Sequence, residues 1–179
     1  LFLRVLSEDG VAVINTDDAR GREMAALARA RGQEVLSVGT SAIADLRILA
    51  RSYAPAGQVL RFQWQGREAQ AELALIGGFQ AENALVAAGL AIGAGADPDR
   101  VFAALGQLGT VRGRMQLAAR RRNGGAVFVD YAHTPDAVAT ALAALRPPVM
   151  GRLVAIRGSG AARDRPNRRR RRRVAAAPL

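Results

Sequence analysis

Near its start the chain runs strand, helix, strand with very short connections, and few folds accept that order. Val11-Ala12-Val13-Ile14, within Gly10 to Asn15, is an apolar run of the kind a buried strand needs. Asp17 and Asp18 then offer carboxylates to cap a helix from about Arg20 to Arg31, which Gly32 is placed to end. A second apolar run, Val35 to Val38, follows after two residues. Continuous apolar strands joined through a helix are the pattern of a parallel α/β unit.

Beyond this unit the period changes to two. Leu60, Phe62 and Trp64 alternate with Arg61, Gln63 and Gln65, and after Gly66 the residues Ala69, Ala71, Leu73 and Leu75 alternate with Gln70 and Glu72. The pattern predicts an antiparallel hairpin turning at Gln65-Gly66-Arg67, with Leu46 to Tyr53 as a third strand, in either a mixed sheet or a small sheet packed alongside. Gln80 to Ile92 is Ala-rich and reads as helix, and Asp97-Pro98-Asp99 predicts a capped helix running to about Leu108 and closed by Gly109. A domain boundary is expected near Gly109 to Gly113. Two strand-like stretches follow, Met115 to Ala119 and Ala126 to Asp130, around the turn residues Asn123-Gly124-Gly125. Thr134-Pro135-Asp136 repeats the cap-then-Pro device and opens a helix from Ala137 to Leu145, with Val138, Ala141, Leu142 and Leu145 on one face, stopped by Pro147-Pro148. Leu153-Val154-Ala155-Ile156 reads as another buried strand leading into Gly158-Ser159-Gly160, so a second domain begins as strand, helix, strand and glycine loop, and then looks unfinished.

Composition excludes several classes of function. The 179 residues, half of them hydrophobic, can bury a core, and none of their apolar runs approaches the roughly 18 residues of a membrane-spanning helix. A soluble chain without a membrane partner is expected. Cysteine is absent, which excludes disulfides, thiolate catalysis and Cys-type zinc sites and is compatible with a reducing cytoplasm. The net charge of +11 invites a nucleic-acid reading, but eight Arg against one Asp between Arg163 and Arg173 supply +7 and leave +4 for everything before. A run such as Arg168 to Arg173 would give salt-dependent, sequence-blind affinity for phosphates. No aromatic residue interleaves it, so a solvated, disordered tail over residues 161–179 is the expected reading and nucleic-acid binding the alternative. Leu1-Phe2-Leu3-Arg4-Val5-Leu6 has no initiator Met and no small-residue cleavage site, and predicts a chain cut from something longer.

The sharpest local pattern is Val127-Phe128-Val129-Asp130-Tyr131-Ala132-His133-Thr134-Pro135-Asp136. A buried strand delivers an acid, an aromatic ring and the only His to its C-terminal end, just before a helix N-terminus, where open α/β sheets bind ligands. An acid there can accept from ribose hydroxyls, while a ring and an imidazole can lie against or hydrogen-bond a base. The other reading is that Asp130 caps a turn and His133 is a surface residue, and the residue types leave both open.

This stretch resembles the Asp-Tyr-Ala-His-Thr-Pro-Asp motif of the Mur ligases, in the branch that adds diaminopimelate or lysine. Two more motifs agree in order and spacing. Ile76-Gly77-Gly78-Phe79-Gln80-Ala81-Glu82-Asn83-Ala84-Leu85 resembles the family's Gly-x-Phe-Asn-x-x-Asn-x-Leu-Ala segment, and Val111-Arg112-Gly113-Arg114-Met115-Gln116 resembles its Gly-Arg-Met-Glu segment. With Val13-Ile14-Asn15-Thr16-Asp17-Asp18, the likeness covers about Leu1 to Ile156.

The resemblance implies an α/β fold: the C-terminal part of a central ATPase domain, a mixed sheet with helices, over residues 1–110, then the start of a Rossmann-like C-terminal domain over residues 111–160. It implies a cytoplasmic ligase, monomeric at full length, in which ATP with Mg2+ phosphorylates the carboxylate of a UDP-N-acetylmuramoyl dipeptide. The amine of diaminopimelate, the third residue of the peptidoglycan stem, then attacks the acyl phosphate; such chemistry rests on metal-neutralised phosphates held in line. Carried over residue by residue, Asn83 and Arg114 would contact ATP, Asp130 would hold the ribose, and Tyr131 and His133 would lie near the adenine. On their own terms, Asn83 equally suits a helix-face polar residue and Arg114 a solvated loop cation.

The departures carry expectations too. The family's phosphate loop ends in Lys and its magnesium is held with a modified lysine; a chain without lysine has neither, so no catalytic residue and no metal ligand is expected here, and no ligase activity from this chain alone. Those groups are expected before Leu1. Gly158 to Arg168 resembles a degraded copy of the Gly-x-Gly-Gly-Asp-Arg-Asp segment, with Ala162 where an acid is expected and Asn167 where a lysine is. The segment that selects the amino acid is not matched, so diaminopimelate rather than lysine rests on its prevalence in GC-rich bacteria. A folylpolyglutamate or cyanophycin synthetase would share the central fold, but the His-Thr-Pro-Asp continuation and the Gly-Arg-Met spacing favour the peptidoglycan branch. With the first strands of the central sheet lacking, Val11 to Ile14 and Val35 to Val38 are expected to expose apolar surface that promotes aggregation.

Overall fold

A computed structural model of the chain describes residues 5–7, 9–54, 57–147, 149 and 151–156. They fall into two units, one within Leu1–Ala74 and Gly78–Leu108, the other within Leu75–Gly77 and Gly109–Leu179.

The first unit holds one mixed sheet, in the order β1 (Val11–Asn15), β2 (Glu34–Gly39), β3 (Leu46–Ala54), β4 (Gly57–Trp64), β5 (Arg67–Leu73). β1 and β2 are parallel and joined by α1 (Ala19–Ala30). Asp18 starts α1 by accepting the Gly21 N–H at 2.7 Å, and Gly32 follows its end at φ +77°, a backbone conformation that needs no Cβ. Ala12 and Ile14 pack against Ala25 and Ala28 of α1. Val13 lies on the other face, where Gly89 of α2 (Gly78–Gly93) lets the helix backbone approach Val13, Leu36 and Leu46. A helix on each face explains why these strands are apolar throughout. It also corrects the expectation of exposed apolar surface: Ala12, Ile14, Leu36 and Val38 are all buried.

β2 and β3 are parallel as well, although the connection between them holds no helix. Parallel neighbours ordinarily need a long crossover. Here only two residue pairs overlap, Val38 with Leu46 and Gly39 with Arg47, so the loop has little distance to retrace. Asp45 closes that loop by accepting the Ser37 N–H at 2.7 Å and its hydroxyl at 2.6 Å, and Asp17 accepts the Thr40 N–H and hydroxyl at 2.7 and 2.9 Å. β3, β4 and β5 are antiparallel, and the β4–β5 turn is Gln65-Gly66 with φ of +48° and +79°, as a two-residue hairpin turn of type I′ requires. The period-two segment is thus a continuation of the parallel sheet and not a separate one. Its core side is sealed by Phe62, fully buried and edge to face with Phe102 at 5.0 Å.

The helix after Asp97 is shorter than expected. α3 (Pro98–Ala104) is capped by Asp97, whose carboxylate accepts the Arg100 N–H at 2.9 Å, and it tightens into a 3-10 turn over Leu105–Gln107. Gly109 does not close it; the Leu108 N–H bonds back to the Leu105 carbonyl at 3.2 Å. The tighter winding turns Leu105 into the core and sets Gly106 beside the Glu72 carbonyl of β5.

In the second unit β6 (Gln116–Arg120) and β7 (Ala126–Val129) form an antiparallel ribbon, and α4 (Pro135–Leu145) starts at Thr134, whose hydroxyl accepts the Ala137 N–H at 3.2 Å. Val138, Leu142 and Ala144 are the buried positions of α4. Leu153 to Ile156 is not the buried strand expected: a strand needs a hydrogen-bonded neighbour, no described strand pairs with this segment, and Val154 and Ile156 are 69% and 95% exposed. The Gly158-Ser159-Gly160 loop, the segment to Arg168 and the Arg-rich tail lie outside the described residues. No helix among the described residues is long and apolar enough to cross a membrane.

Candidate functional site

The end of β7 and the start of α4 are separated only by residues 130–134, so every side chain in that turn is placed by the strand on one side and the helix cap on the other. Asp130 is half-buried at the strand end. One of its carboxylate oxygens accepts the Ala132 N–H at 2.8 Å and the other accepts the Met115 N–H at 2.8 Å. It therefore caps its own turn and also ties that turn to the residue that precedes β6. A carboxylate has about four acceptor positions, so these two bonds leave capacity for hydroxyl donors of a ligand.

Arg114 stands between two residues of positive φ, Gly113 at +71° and Met115 at +49°. For Met115 that conformation costs on the order of 1 kcal/mol. Two observed features offset it: the side chain is 1% exposed, and its N–H is held by Asp130. Gly113 is tied at both ends, its N–H donating to Gln116 Oε1 at 3.0 Å and its carbonyl accepting the Tyr131 N–H at 2.8 Å. The Arg114 guanidinium consequently lies over the Tyr131 ring, 5.7 Å from its centroid, and the His133 ring stands 5.4 Å from the same ring at a 57° tilt. His133 Nδ1 lies 3.3 Å from the Tyr131 carbonyl oxygen. Tyr131 is 68% exposed, so its ring is available to a ligand.

Four of the five residues singled out from the sequence, Arg114, Asp130, Tyr131 and His133, thus gather in the second unit. Asn83 belongs to the first, exposed on α2 with its Nδ2 3.4 Å from Gln80 Oε1. The second-unit cluster offers a cation, two rings and a carboxylate with spare acceptors, which suits a flat aromatic ligand that carries hydroxyls. Among the described residues no three His, Asp or Glu side chains gather as a metal site would need.

Sequence reasoning missed two supports. Gln116 stood inside a motif without a role, and nothing in the spacing shows that its side chain folds back on Gly113. Arg51 of β3 donates to the Gly78 carbonyl at 2.9 Å and to Glu82 at 2.8 Å, holding the first turn of α2 just before Asn83. That pair is 31 residues apart, beyond any local pattern. An open cleft of about 390 Å3 in the first unit, lined by Glu34, Ile43, Asp45, Trp64 and the Gln65-Gly66 turn, involves none of the motif residues.

Comparison with known proteins places the chain in a family. Residues 1–91 match the family model described as the Mur ligase middle domain, and residues 113–178 the one described as Mur ligase, glutamate ligase domain. The UDP-N-acetylmuramoyl-L-alanyl-D-glutamate–2,6-diaminopimelate ligase of Caulobacter vibrioides is 45% identical over 168 residues, covering 94% of this chain and 34% of that protein. Its counterpart in Zymomonas mobilis is 40% identical over 168 residues, with the same coverage. A solved structure of such a diaminopimelate ligase aligns with a TM-score of 0.68 at 33% identity, over 93% of this chain and 34% of that one. The chain spans about a third of the length of the curated relatives it matches. With both domain models matched in order along it, the chain belongs to the Mur ligase family.

Proposed function

We propose that this chain is part of an ATP-dependent ligase that adds meso-diaminopimelate to UDP-N-acetylmuramoyl-L-Ala-D-Glu through an acyl phosphate, in cytoplasmic peptidoglycan synthesis. The observation that carries the reading is the 45% identity to a diaminopimelate ligase over 94% of the chain, rather than over a nucleotide motif alone. On this reading residues 1–110 belong to the central ATP-binding domain and residues 111–160 open the C-terminal domain. Asn83 is assigned a nucleotide contact in the first, and Arg114, Asp130, Tyr131 and His133 hold adenosine in the second.

ATP, when bound, supplies the phosphoryl group that turns the substrate carboxylate into a reactive anhydride. The residues of this chain bind and orient its adenosine end. The fit rests on two features: Tyr131 presents an exposed ring to a base, and Asp130 keeps acceptor positions for ribose hydroxyls after its two backbone bonds. His133 adds a second ring beside the first, and Arg114 a cation over it. Magnesium belongs with the phosphates, and no described residue is assigned to it.

Two measurements test this. The full-length enzyme that contains the chain is expected to incorporate labelled diaminopimelate in preference to lysine; the reverse preference would move it to the lysine-adding branch. Titration calorimetry of the chain with ATP is expected to show binding that Tyr131→Ala weakens about tenfold, since stacking a base on an aromatic ring contributes ~1–3 kcal/mol. The unfolding midpoint should barely move, because the ring is exposed. Equal affinity in the two chains would remove Tyr131 from the site.

A further inference from the structure

The turn that carries Arg114 is held at each of its three successive N–H groups. Gly113 donates to Gln116 Oε1 at 3.0 Å, Arg114 to the Val111 carbonyl at 2.9 Å, and Met115 to Asp130 at 2.8 Å. Only the first of these anchors is a neutral side chain, and it comes from the first residue of β6, which the ribbon holds in place. The Gly113 carbonyl, in the next peptide group, accepts the Tyr131 N–H, so Gln116 and Tyr131 hold the two peptides on either side of the Gly113 Cα, the second of which leads into Arg114. The family segment that residues 111–116 resemble ends in Glu; Gln keeps the accepting oxygen and removes the charge.

We infer that Gln116 is a positioning residue, whose side-chain carbonyl fixes the left-handed turn at Gly113 and thereby lays the Arg114 guanidinium over the Tyr131 ring. Its consequence for nucleotide affinity rests on the reading proposed above; the geometry does not. A turn already fixed leaves less of the flexible Arg side chain to be ordered when a ligand arrives, which is how preorganisation raises affinity. Glu at this position would accept the same N–H, whereas Leu would fill the space and accept nothing.

The test uses the whole chain and two solution readouts that need no ligand: hydrogen exchange at the Gly113 amide, and the ring-current shift that Tyr131 imposes on the Arg114 side-chain protons. Gln116→Leu is expected to speed Gly113 exchange about tenfold, the effect of losing one well-made hydrogen bond, and to collapse the Arg114 shift toward its value in Tyr131→Ala. Gln116→Glu is expected to restore both. Should Gln116→Leu not fold, Gln116→Asn, one methylene shorter, carries the same expectation. Unchanged exchange and shift in the Leu or Asn chain would overturn the inference, and so would a Glu chain that fails to rescue. ADP titration of the same chains separates the two ideas: affinity should fall about tenfold with Leu and return with Glu. A native chain that binds no ADP while both solution readouts respond would overturn the nucleotide reading and uphold the positioning role.

Discussion

Asp130→Ala is expected to weaken ATP binding by a hundredfold or more and to loosen the second unit in the same step. Its carboxylate is the acceptor for two backbone donors, Met115 and Ala132, on opposite sides of the site. Hydrogen bonds to a charged acceptor contribute roughly 1.5–3 kcal/mol each, toward the lower end for a half-buried group, so the loss should come to about 3 kcal/mol. Met115 would also be left in its left-handed conformation without the bond that helps hold it there. Hydrogen exchange should accelerate at the Met115 and Ala132 amides together, and ATP affinity should fall by a hundredfold or more, equivalent to about 2.7 kcal/mol. Asp130→Asn keeps one accepting oxygen and should fall between the two. An alanine chain with unchanged protection at Met115 would mean that the carboxylate is not the tie between the two segments.

The second large effect reverses a general rule. Replacing a glycine inside a helix by alanine ordinarily stabilises by up to about 1 kcal/mol, yet Gly21→Ala in α1 should destabilise by about 3 kcal/mol. A Cβ at Gly21 would stand 1.8 Å from the Asn15 carbonyl oxygen and 3.0 Å from its carbon, and both belong to the backbone of β1. No side chain can turn aside to make room, so α1 must lift from the strand and give up part of the burial of Ala25 and Ala28. Urea denaturation followed by the fluorescence of Trp64, the only tryptophan, would show the loss as a lower midpoint. A raised midpoint would place the helix farther from β1 than the structure has it.

The elements legible in the sequence are those whose signals are local. The Asp18 cap, the Gly32 stop, the Gln65-Gly66 turn and the Thr134 cap each involve residues within a few positions of one another, and each is present. The join between the parallel and antiparallel parts is not legible in the sequence, because it depends on Ser37 meeting Asp45 across a loop, and period alone cannot express it. Leu153 to Ile156 departs from its strand expectation for a related reason: an apolar run carries strand propensity, but a ladder requires a partner that no local pattern supplies. In the candidate site, the motif around Asp130 named residues that the structure brings together with Arg114. The conformation of Met115 stayed hidden because its N–H is held by Asp130, 15 residues on, and the fold-back of Gln116, though local, has no signature in residue type or spacing.

The two-pair overlap between β2 and β3 makes the sheet of the first unit a seamed object. Its ladder is long within β3, β4 and β5, continuous within β1 and β2, and thin between them. The seam is bridged by α2, which rests through Gly89 on Val13, Leu36 and Leu46 and so touches a strand on either side. Cooperativity between the two halves therefore passes through the helix more than through the strands. A substitution at Gly89 or Leu46 is felt across the seam, while one at Arg61 or Gln70, deep in the antiparallel half, stays local. The helix that presents Asn83 is thus also the strap that makes the sheet unfold as one body.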